Sequence, residues 1–282
     1  MSEIAYVNGE FLPLEQAMVH VEDRGFQFAD SVYEVMRTYN GKLFAAEEHM
    51  ARLFRSLSAI GLEHHLTTKE LIGIAEEAVR RAAFAEGMVY LQMTRGVAKR
   101  HRGVPTRIAP TVVMIVRELH RPPAAQWENG LSCITVADDR WGRCDIKTVA
   151  LLANVLAYQA AKKAGASDAI FIGANETVAE ATAGNIFIVV RGELRTPPKS
   201  PRLLSGITRD KLLEAAHAAG IPCAERTVTK AELLAADEVF LSSTTNEVVP
   251  VTVVDGQKIG TGKPGPVARG VYERFLMMFT QL

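Results

Sequence analysis

The 282-residue sequence predicts a mixed α/β fold of two domains. Strand-like and helix-like segments follow one another along the whole chain, without an internal repeat or a low-complexity segment. The length is sufficient for two domains with cores of their own. Pro122-Pro123 interrupts the pattern, because paired prolines continue neither a helix nor a central strand. We therefore predict an N-terminal domain over residues 1–119, a linker at 120–126 and a C-terminal domain over 127–282.

Turns and hydrophobic periodicity define the elements of the predicted N-terminal domain. Asn8-Gly9 is a two-residue hairpin signal, and Asn40-Gly41 predicts a second turn. A helix that precedes Gly87 is expected to end before this glycine. The predicted strands are 32–39, 88–95 and 111–116, and the predicted helices are 45–60 and 68–85. Leu53, Leu57 and Ile60 are spaced to lie on one face of the first of these helices.

The same signals predict the elements of the C-terminal domain. Gly165 and Gly220 each follow a helical pattern and are expected to end it. The predicted strands are 131–138, 169–173, 185–190, 238–242 and 248–254, and the predicted helices are 148–164, 210–219 and 270–282.

Charge and cysteine content narrow the function classes. The 32 basic and 32 acidic residues balance, so no excess positive charge is available to neutralise the phosphates of a nucleic acid. No secretory signal and no apolar run of about 20 residues is present, which argues against a membrane protein. The three cysteines are widely spaced and form neither a disulfide framework nor a zinc pattern. We predict a soluble cytoplasmic protein without a metal site.

Lys147 is the leading candidate for covalent chemistry. It ends the run Arg143-Cys144-Asp145-Ile146-Lys147, where an extended segment meets the predicted helix 148–164. A lysine held at such a junction can form a Schiff base with a carbonyl cofactor. An isolated lysine is more often a solvated surface charge.

Three further groups suit a phosphate, although each also has a plainer interpretation. Ser205-Gly206-Ile207-Thr208-Arg209 precedes a helix and can bind an anion, or Ser205 or Thr208 can simply cap the helix. Arg52 can clamp a phosphate or form a surface salt bridge to Glu48. Ser243 and Thr244 follow a strand and can bind phosphate oxygens or form a solvated turn.

Glu180 and the Arg100-His101-Arg102 loop complete the candidate set. Glu180 lies among small residues and can face a pyridine nitrogen, or it can be a solvated hairpin-tip carboxylate. The loop can grip a carboxylate or remain a solvated basic cluster. Together the candidates supply an amine for an aldehyde, an acid for a ring nitrogen and groups for a phosphate. Pyridoxal phosphate (PLP) needs this set.

The order and spacing of these motifs resemble a known family over essentially the full length. The motifs are residues 23–35, His49-x-x-Arg52-Leu53, Arg143–Lys147, Glu180 with Asn185, Leu204-x-Gly206-Ile207-Thr208-Arg209, and Ser243-Thr244-Thr245 with Glu247 and Pro250. The chain resembles the branched-chain and D-amino-acid aminotransferases, which are fold-type IV PLP enzymes, and it is most similar to the D-amino-acid branch.

The resemblance implies a fold, a cofactor and residue roles. A small N-terminal and a larger C-terminal α/β domain would hold PLP in the cleft between them, and a homodimer would complete the site. Lys147 would hold PLP as the internal aldimine and move the substrate proton, while Glu180 would pair with the pyridinium nitrogen. The implied phosphate and cofactor ligands are Arg52, Ile207, Thr208, Ser243 and Thr244, and the implied substrate ligands are Tyr33, Arg100 and Arg102.

The implied activity is a ping-pong transamination of D-amino acids, such as D-alanine or D-glutamate, with a 2-oxo acid as acceptor. In the family pattern a histidine stands two positions after the loop arginine; here Arg102 takes that place and His101 comes one position early. This departure concerns substrate preference more than PLP chemistry. Three alternatives stay open: a branched-chain L-amino-acid aminotransferase, a lyase of the aminodeoxychorismate type, and a PLP-binding protein without turnover.

Overall fold

The computed structural model describes residues 2–279 and divides the chain into two compact units. Unit 1 runs to His120 and also contains Ile146–Ala150. Unit 2 contains Arg121–Asp145 and the described residues from Leu151 to Phe279. Lys147 therefore belongs to unit 1, although it lies within the range 127–282 that the sequence assigns to a C-terminal domain.

Unit 1 combines one antiparallel sheet with three helices in its described part. Its elements are β1 (Ile4–Val7), β2 (Glu10–Pro13), α1 (Arg24–Phe28), β3 (Ser31–Tyr39), β4 (Lys42–Leu43), α2 (Ala46–Ala59), α3 (Thr68–Ala82), β5 (Gly87–Thr94) and β6 (Thr111–Glu118). The strand order is β2-β1-β6-β5-β3-β4.

The two predicted turns of unit 1 are confirmed. Asn8 and Gly9 have positive φ angles of 48° and 110° and join β1 to β2, and Asn40 and Gly41, at 51° and 74°, join β3 to β4. Asparagine and glycine are the residues that adopt this left-handed region most readily. The predicted stop at Gly87 is wrong, because Ala83 ends α3 in the left-handed conformation and Gly87 begins β5.

The core of unit 1 lies between the sheet and helices α2 and α3. Leu53 and Leu57 of α2 are buried, as their helical spacing predicts, and Val32 and Met36 of β3 are buried in the same cluster. Each such side chain contributes roughly 2 kcal/mol through removal of apolar surface from water. Glu34 lies between Val32 and Met36 on the same face of β3, so a charged residue occupies a core position.

Unit 2 is built on a mixed sheet. Its elements are α4 (Ala124–Asn129), β7 (Leu131–Ala137), α5 (Leu152–Lys163), β8 (Asp168–Ile172), β9 (Val178–Ala181), β10 (Asn185–Val190), β11 (Glu193–Thr196), α6 (Ile207–Ala218), β12 (Cys223–Glu225), α7 (Lys230–Leu234), β13 (Glu238–Ser243), β14 (Glu247–Val254), β15 (Gln257–Lys258) and α8 (Pro266–Leu276). The strand order is β12-β11-β10-β13-β14-β7-β8-β9, with β15 paired to β14. The mixed α/β prediction is confirmed.

Several predicted helix boundaries of unit 2 are wrong. α5 begins at Leu152, four residues later than predicted, because Thr148 forms an extended bridge with Val32. α6 begins at Ile207, three residues earlier than predicted. α8 covers the start of the predicted helix 270–282, whose last three residues lie outside the described range. No helix in the described part of the chain is long and apolar enough to span a bilayer.

Candidate active site

Lys147 lies beside Tyr33 in unit 1. The Tyr33 amide donates a hydrogen bond of 2.9 Å to the carbonyl oxygen of Lys147, and the Lys147 amide donates one of 3.3 Å to the hydroxyl of Ser56. The Lys147 Nζ atom lies 4.2 Å from the centre of the Tyr33 ring. The backbone of this lysine is therefore held by pairing to β3, and not by the junction with a helix that the sequence predicts.

Polar and aromatic groups surround Tyr33. Its ring stacks on that of Tyr90 with 5.5 Å between the ring centres, and the Tyr90 hydroxyl donates a 2.7 Å hydrogen bond to Gln92. Gln92 in turn donates to the hydroxyl of Ser31 at 3.2 Å. Burial, with a smaller effect of Tyr33, raises the pKa of Tyr90 to about 12. Tyr90 therefore keeps its proton at neutral pH and serves as a donor.

Arg52 is buried and is not the surface charge of the plainer interpretation. Its Nε and Nη2 atoms donate to the two carboxylate oxygens of Glu34 at 2.7 and 2.8 Å. His49 Nδ1 also lies 2.8 Å from the Glu34 carboxylate. Burial opposes charge on Glu34, but Arg52 and His49 together lower the pKa of this carboxyl. Burial also lowers the pKa of His49, despite the hydrogen bond to Glu34.

Glu180 lies in β9, where its side chain is 9% exposed. The alternative of a solvated hairpin tip is therefore wrong. One carboxylate oxygen accepts a 2.5 Å hydrogen bond from Arg140 Nη1, and the other accepts one of 3.1 Å from the Leu204 amide. A carboxylate that accepts a charge-assisted bond and an amide bond is stabilised in its ionised form.

Arg140 is a site residue that the sequence analysis missed. Its Nε and Nη2 atoms donate to the carboxylate of Asp138 at 2.9 and 3.1 Å, and its guanidinium carbon lies 4.1 Å from the centre of the Phe171 ring. Burial alone lowers the pKa of Arg140, but Asp138 and Glu180 raise it overall. Arg202 Nη2 lies 3.3 Å from Asp138. A carboxylate and an arginine two positions apart, after the end of β7, were the available sequence signal.

The N-terminus of α6 has no side-chain cap, so the simple capping interpretation is wrong. Gly206 precedes the helix, and the side chains of Ile207 and Thr208 in its first turn are buried. A Cβ atom on Gly206 would lie 2.0 Å from Asn185 Oδ1, so this position requires glycine. Asn185 is held there because its side-chain amide donates to the carbonyl of Leu204 at 2.8 Å. Uncapped amides at a helix N-terminus favour an anion.

Ser243 and Thr244 lie at the turn between β13 and β14. The Ser243 hydroxyl accepts a 3.1 Å hydrogen bond from the Asn246 amide, as in the turn that was the plainer interpretation. The adjacent hydroxyl of Ser242 is buried without a hydrogen-bond partner among the described residues. The turn is therefore ordered internally, and a role for Ser243 and Thr244 in binding remains a prediction.

The Arg100-His101-Arg102 loop carries exposed side chains in unit 1. The Arg100 guanidinium carbon lies 4.9 Å from the centre of the Phe28 ring, and His101 Nδ1 accepts a 3.0 Å hydrogen bond from the Gly103 amide. Within residues 2–279 no hydrogen bond or ion pair joins Arg100 or Arg102 to Tyr33. A single chain thus brings Lys147 and Tyr33 together but leaves the loop arginines without such a bond to them.

A comparison with protein families decides how this arrangement is classified. The model of the family described as amino-transferase class IV matches residues 31–254. The chain belongs to this family. The matched range includes Lys147, Glu180 and Thr208, and it begins at Ser31, after α1.

The relatives of this class IV aminotransferase include D-alanine aminotransferases. A D-alanine aminotransferase of Bacillus licheniformis is 43% identical over 264 residues, which cover 94% of this chain and 93% of the relative. A D-alanine aminotransferase of Staphylococcus haemolyticus is 42% identical over 270 residues, which cover 96% of this chain and 95% of the relative.

Solved structures confirm the fold-type IV assignment. A branched-chain amino acid aminotransferase of Escherichia coli has a TM-score of 0.92 at 26% identity, with 99% of this chain and 95% of that chain covered. A branched-chain aminotransferase of the thermophilic archaeon Thermoproteus uzoniensis, solved with norvaline, has a TM-score of 0.86 at 28% identity, with 98% of this chain and 94% of that chain covered. A hypothetical aminotransferase from Mycobacterium tuberculosis, in a PLP-bound form, has a TM-score of 0.86 at 25% identity with 99% coverage of both chains.

Proposed function

We propose that this class IV aminotransferase uses PLP to transfer the amino group of D-amino acids to a 2-oxo acid. The observation that carries the chemistry is Lys147, an amine whose two backbone groups are both hydrogen-bonded and whose Nζ lies against Tyr33. The D-alanine aminotransferase relatives, at 43% and 42% identity over nearly the whole chain, support the substrate class.

Three features of the chain fit this cofactor. Lys147 offers an amine for the aldehyde, and Glu180 is a carboxylate that Arg140 keeps charged for the ring nitrogen. The uncapped N-terminus of α6, at Ile207 and Thr208, offers amides for the phosphate. When bound, PLP supplies an aldehyde that takes up the amino group and a ring that withdraws electrons from the substrate Cα.

The residues of the chain divide the remaining work. Lys147 holds the cofactor and moves a proton to and from the substrate Cα. Glu180 keeps the ring nitrogen protonated, and Arg140 keeps Glu180 ionised. Arg52, whose guanidinium is oriented by Glu34, contributes positive charge for the phosphate. Ser243 and Thr244 add hydroxyl contacts to the cofactor.

Recognition of the substrate carboxylate is proposed for Tyr33, Arg100 and Arg102. The two arginines are exposed, as residues must be if they act on a ligand or on a second copy of the chain. His101 lies between them, and its Nδ1 atom accepts a hydrogen bond from the Gly103 amide. We therefore assign to Arg102, and not to His101, the role of the histidine that the family pattern has at position 102.

We further propose a cytoplasmic homodimer. The apolar side chains Leu152, Val155 and Leu156 are 70%, 51% and 62% exposed and lie at helical spacing on one face of α5. An exposed apolar stripe of this kind is typical of a protein–protein interface. The cysteines Cys133, Cys144 and Cys223 are all free, which fits a reducing compartment.

A branched-chain L-amino-acid aminotransferase is the second candidate. It is favoured by the TM-score of 0.92 with the Escherichia coli enzyme, although the identity of 26% is well below that of the D-alanine aminotransferases. Fold alone does not determine substrate in a family whose members share one scaffold.

A half-reaction distinguishes the two candidates. The PLP-loaded enzyme is mixed with D-alanine or with L-leucine, and the absorbance of the lysine-bound cofactor is followed; Lys147→Ala is the blank. We expect conversion to the pyridoxamine form with D-alanine and none with L-leucine. Conversion with L-leucine alone would contradict the proposed substrate class. A Lys147→Ala variant that shows the same cofactor band and the same conversion as the wild type would contradict the role of the lysine.

A further inference from the structure

Arg24 of α1 contacts the backbone of the loop that carries Arg100. Arg24 Nη1 donates to the carbonyl oxygen of His101 at 2.6 Å and to that of Gly103 at 3.3 Å. Its Nε atom donates to Asp30 at 2.8 Å. Arg24 is only 4% exposed, whereas Arg100 is an exposed residue. A buried charge therefore fixes the main chain of an exposed loop.

Phe28 provides a second connection between the two arginines. Its ring centre lies 5.0 Å from the guanidinium carbon of Arg24 and 4.9 Å from that of Arg100. Cation–π contacts within about 6 Å are attractive and depend on orientation. Arg24 thus influences Arg100 through the loop backbone and through a shared aromatic ring.

The base of the loop is held separately from the Arg24 side chain. The Arg24 amide donates to the carbonyl of Gly96 at 2.9 Å, and the Ala98 amide donates to the carbonyl of Glu22 at 3.2 Å. These backbone bonds survive a change of the Arg24 side chain. The effect of such a change is therefore concentrated on residues 101–103 and on the adjacent Arg100.

We propose that Arg24 is a positioning residue that sets the place of Arg100 and thereby the affinity for the substrate carboxylate. This inference rests on the proposed function, in which Arg100 binds that carboxylate. Because Arg24 contacts carbonyl oxygens, its hold does not depend on the side chains at positions 101 and 102. The loop can therefore carry His101 and Arg102, in place of the family pattern, along an unchanged backbone path.

Arg95 provides a matched control. Its Nε atom donates to the same Asp30 oxygen at 2.8 Å, but its other nitrogens bind the carbonyls of Ile60 and Gly61 instead of the loop. Burial favours the neutral form of Asp30, but Arg95 and Arg24 together lower the pKa of this carboxyl. Arg95→Gln and Arg24→Gln thus remove equivalent partners of Asp30, and only the second releases the loop.

The kinetic test uses the holoenzyme with D-alanine. We expect Arg24→Gln to raise KM about 10-fold to 100-fold, the range for losing a hydrogen bond from a charged donor, while kcat and PLP affinity change less than about twofold. Arg24→Lys restores part of the affinity. In an Arg100→Ala background the Arg24→Gln change adds no further increase, and Arg95→Gln alone leaves KM unchanged.

A second measurement does not depend on activity. Lys99, Arg100 and Arg102 are exposed trypsin sites, so cleavage of the folded holoenzyme at this loop reports its mobility. We expect faster cleavage there in Arg24→Gln than in Arg95→Gln.

Three results would overturn the inference. Additive effects of Arg24→Gln and Arg100→Ala on KM would show that the two residues act separately. Unchanged loop cleavage in Arg24→Gln would show that Arg24 does not hold the loop. A normal KM in Arg24→Gln, together with a raised KM in Arg100→Ala, would remove Arg24 while leaving the proposed function intact. A normal KM in Arg100→Ala would instead contradict the proposed substrate site itself.

Discussion

Two buried glutamates are each paired with an arginine, but the two pairs leave different amounts of the carboxylate accessible. Glu34 in unit 1 is bound by two nitrogens of Arg52 and by His49, and its side chain is 0% exposed. Glu180 in unit 2 is bound by one nitrogen of Arg140 and by a backbone amide, and its side chain is 9% exposed.

We interpret the difference as one between a carboxylate that orients Arg52 inside the core and a carboxylate left accessible for the proposed contact with the ring nitrogen. Arg52 places two nitrogens on Glu34, so both oxygens of this carboxylate are paired inside the core. Arg140 places two nitrogens on Asp138 and one on Glu180. The guanidinium therefore orients Glu180 and stabilises its charge, while part of this carboxylate stays accessible. We therefore expect changes at Glu34 to act mainly on stability and changes at Glu180 to act mainly on activity.

Glu34→Gln is expected to have the largest effect on stability. It leaves Arg52 buried without a full counter-charge, which typically costs about 3–5 kcal/mol in the free energy of unfolding. Urea unfolding of the holoenzyme measures the loss. The control is Glu77→Gln, which removes a carboxylate bound to the exposed Arg80 and Arg81 on the surface of α3 and should change the midpoint little. Equal midpoints for the two variants would contradict a stabilising role of the buried Glu34–Arg52 pair.

Glu180→Gln is expected to have the largest effect on activity. Loss of an oriented charge at a reacting group typically lowers kcat by roughly 10²-fold to 10³-fold. The free energy of unfolding should fall by only about 1 kcal/mol, the net value of a hydrogen bond, because Arg140 retains its ion pair with Asp138. Steady-state kinetics and urea unfolding of the same preparation measure both quantities. A Glu180→Gln variant with a large loss of stability but a normal kcat would contradict the proposed role of Glu180.

Arg140→Gln tests whether the accessible carboxylate depends on its arginine. We expect kcat to fall by about 10-fold, because Glu180 keeps one backbone donor but loses its charged partner. Arg202→Gln is the control, since Arg202 also contacts Asp138 but is 46% exposed and is not bonded to Glu180. A larger loss of kcat in Arg202→Gln than in Arg140→Gln would contradict the proposed role of Arg140.

Lowering the pH is expected to have a smaller effect on stability, through protonation of Glu34. Because the pKa of Glu34 is lowered in the folded protein, its contribution to stability is complete above the unfolded carboxyl pKa of about 4.5 and is lost as the pH falls below it. Urea midpoints of the wild type and of Glu34→Gln should therefore differ by a constant amount down to pH about 4.5 and converge as the pH falls further. A constant difference between them at all pH values would contradict the lowered pKa.

The fold was predictable to the extent that local patterns determine it. The Asn8-Gly9 and Asn40-Gly41 turns and the spacing of Leu53 and Leu57 were sufficient to predict hairpins and a helix that the structure contains. The start of α5 was not predictable in this way. Thr148 has a helical neighbourhood in sequence but pairs with Val32, which lies more than a hundred residues away in the chain.

The sequence indicated which residue types form the candidate site, but not which residues they contact. Lys147, Arg52 and Glu180 stand out in the sequence, whereas their structural contacts come from distant segments. Glu34 carried a readable signal, because it lies between Val32 and Met36 on the apolar face of β3, and a carboxylate buried there requires a cation. Arg140 follows the end of β7, so no strand periodicity indicates that its side chain is buried.

The identity and chirality of the product test the proposed activity most directly. The enzyme is incubated with D-alanine and 2-oxoglutarate, and the glutamate formed is resolved by chiral chromatography, with L-leucine as the competing donor in a parallel reaction. We expect pyruvate and D-glutamate from D-alanine, and no transfer from L-leucine. Formation of L-glutamate from L-leucine, without any transfer from D-alanine, would contradict D-amino-acid transamination.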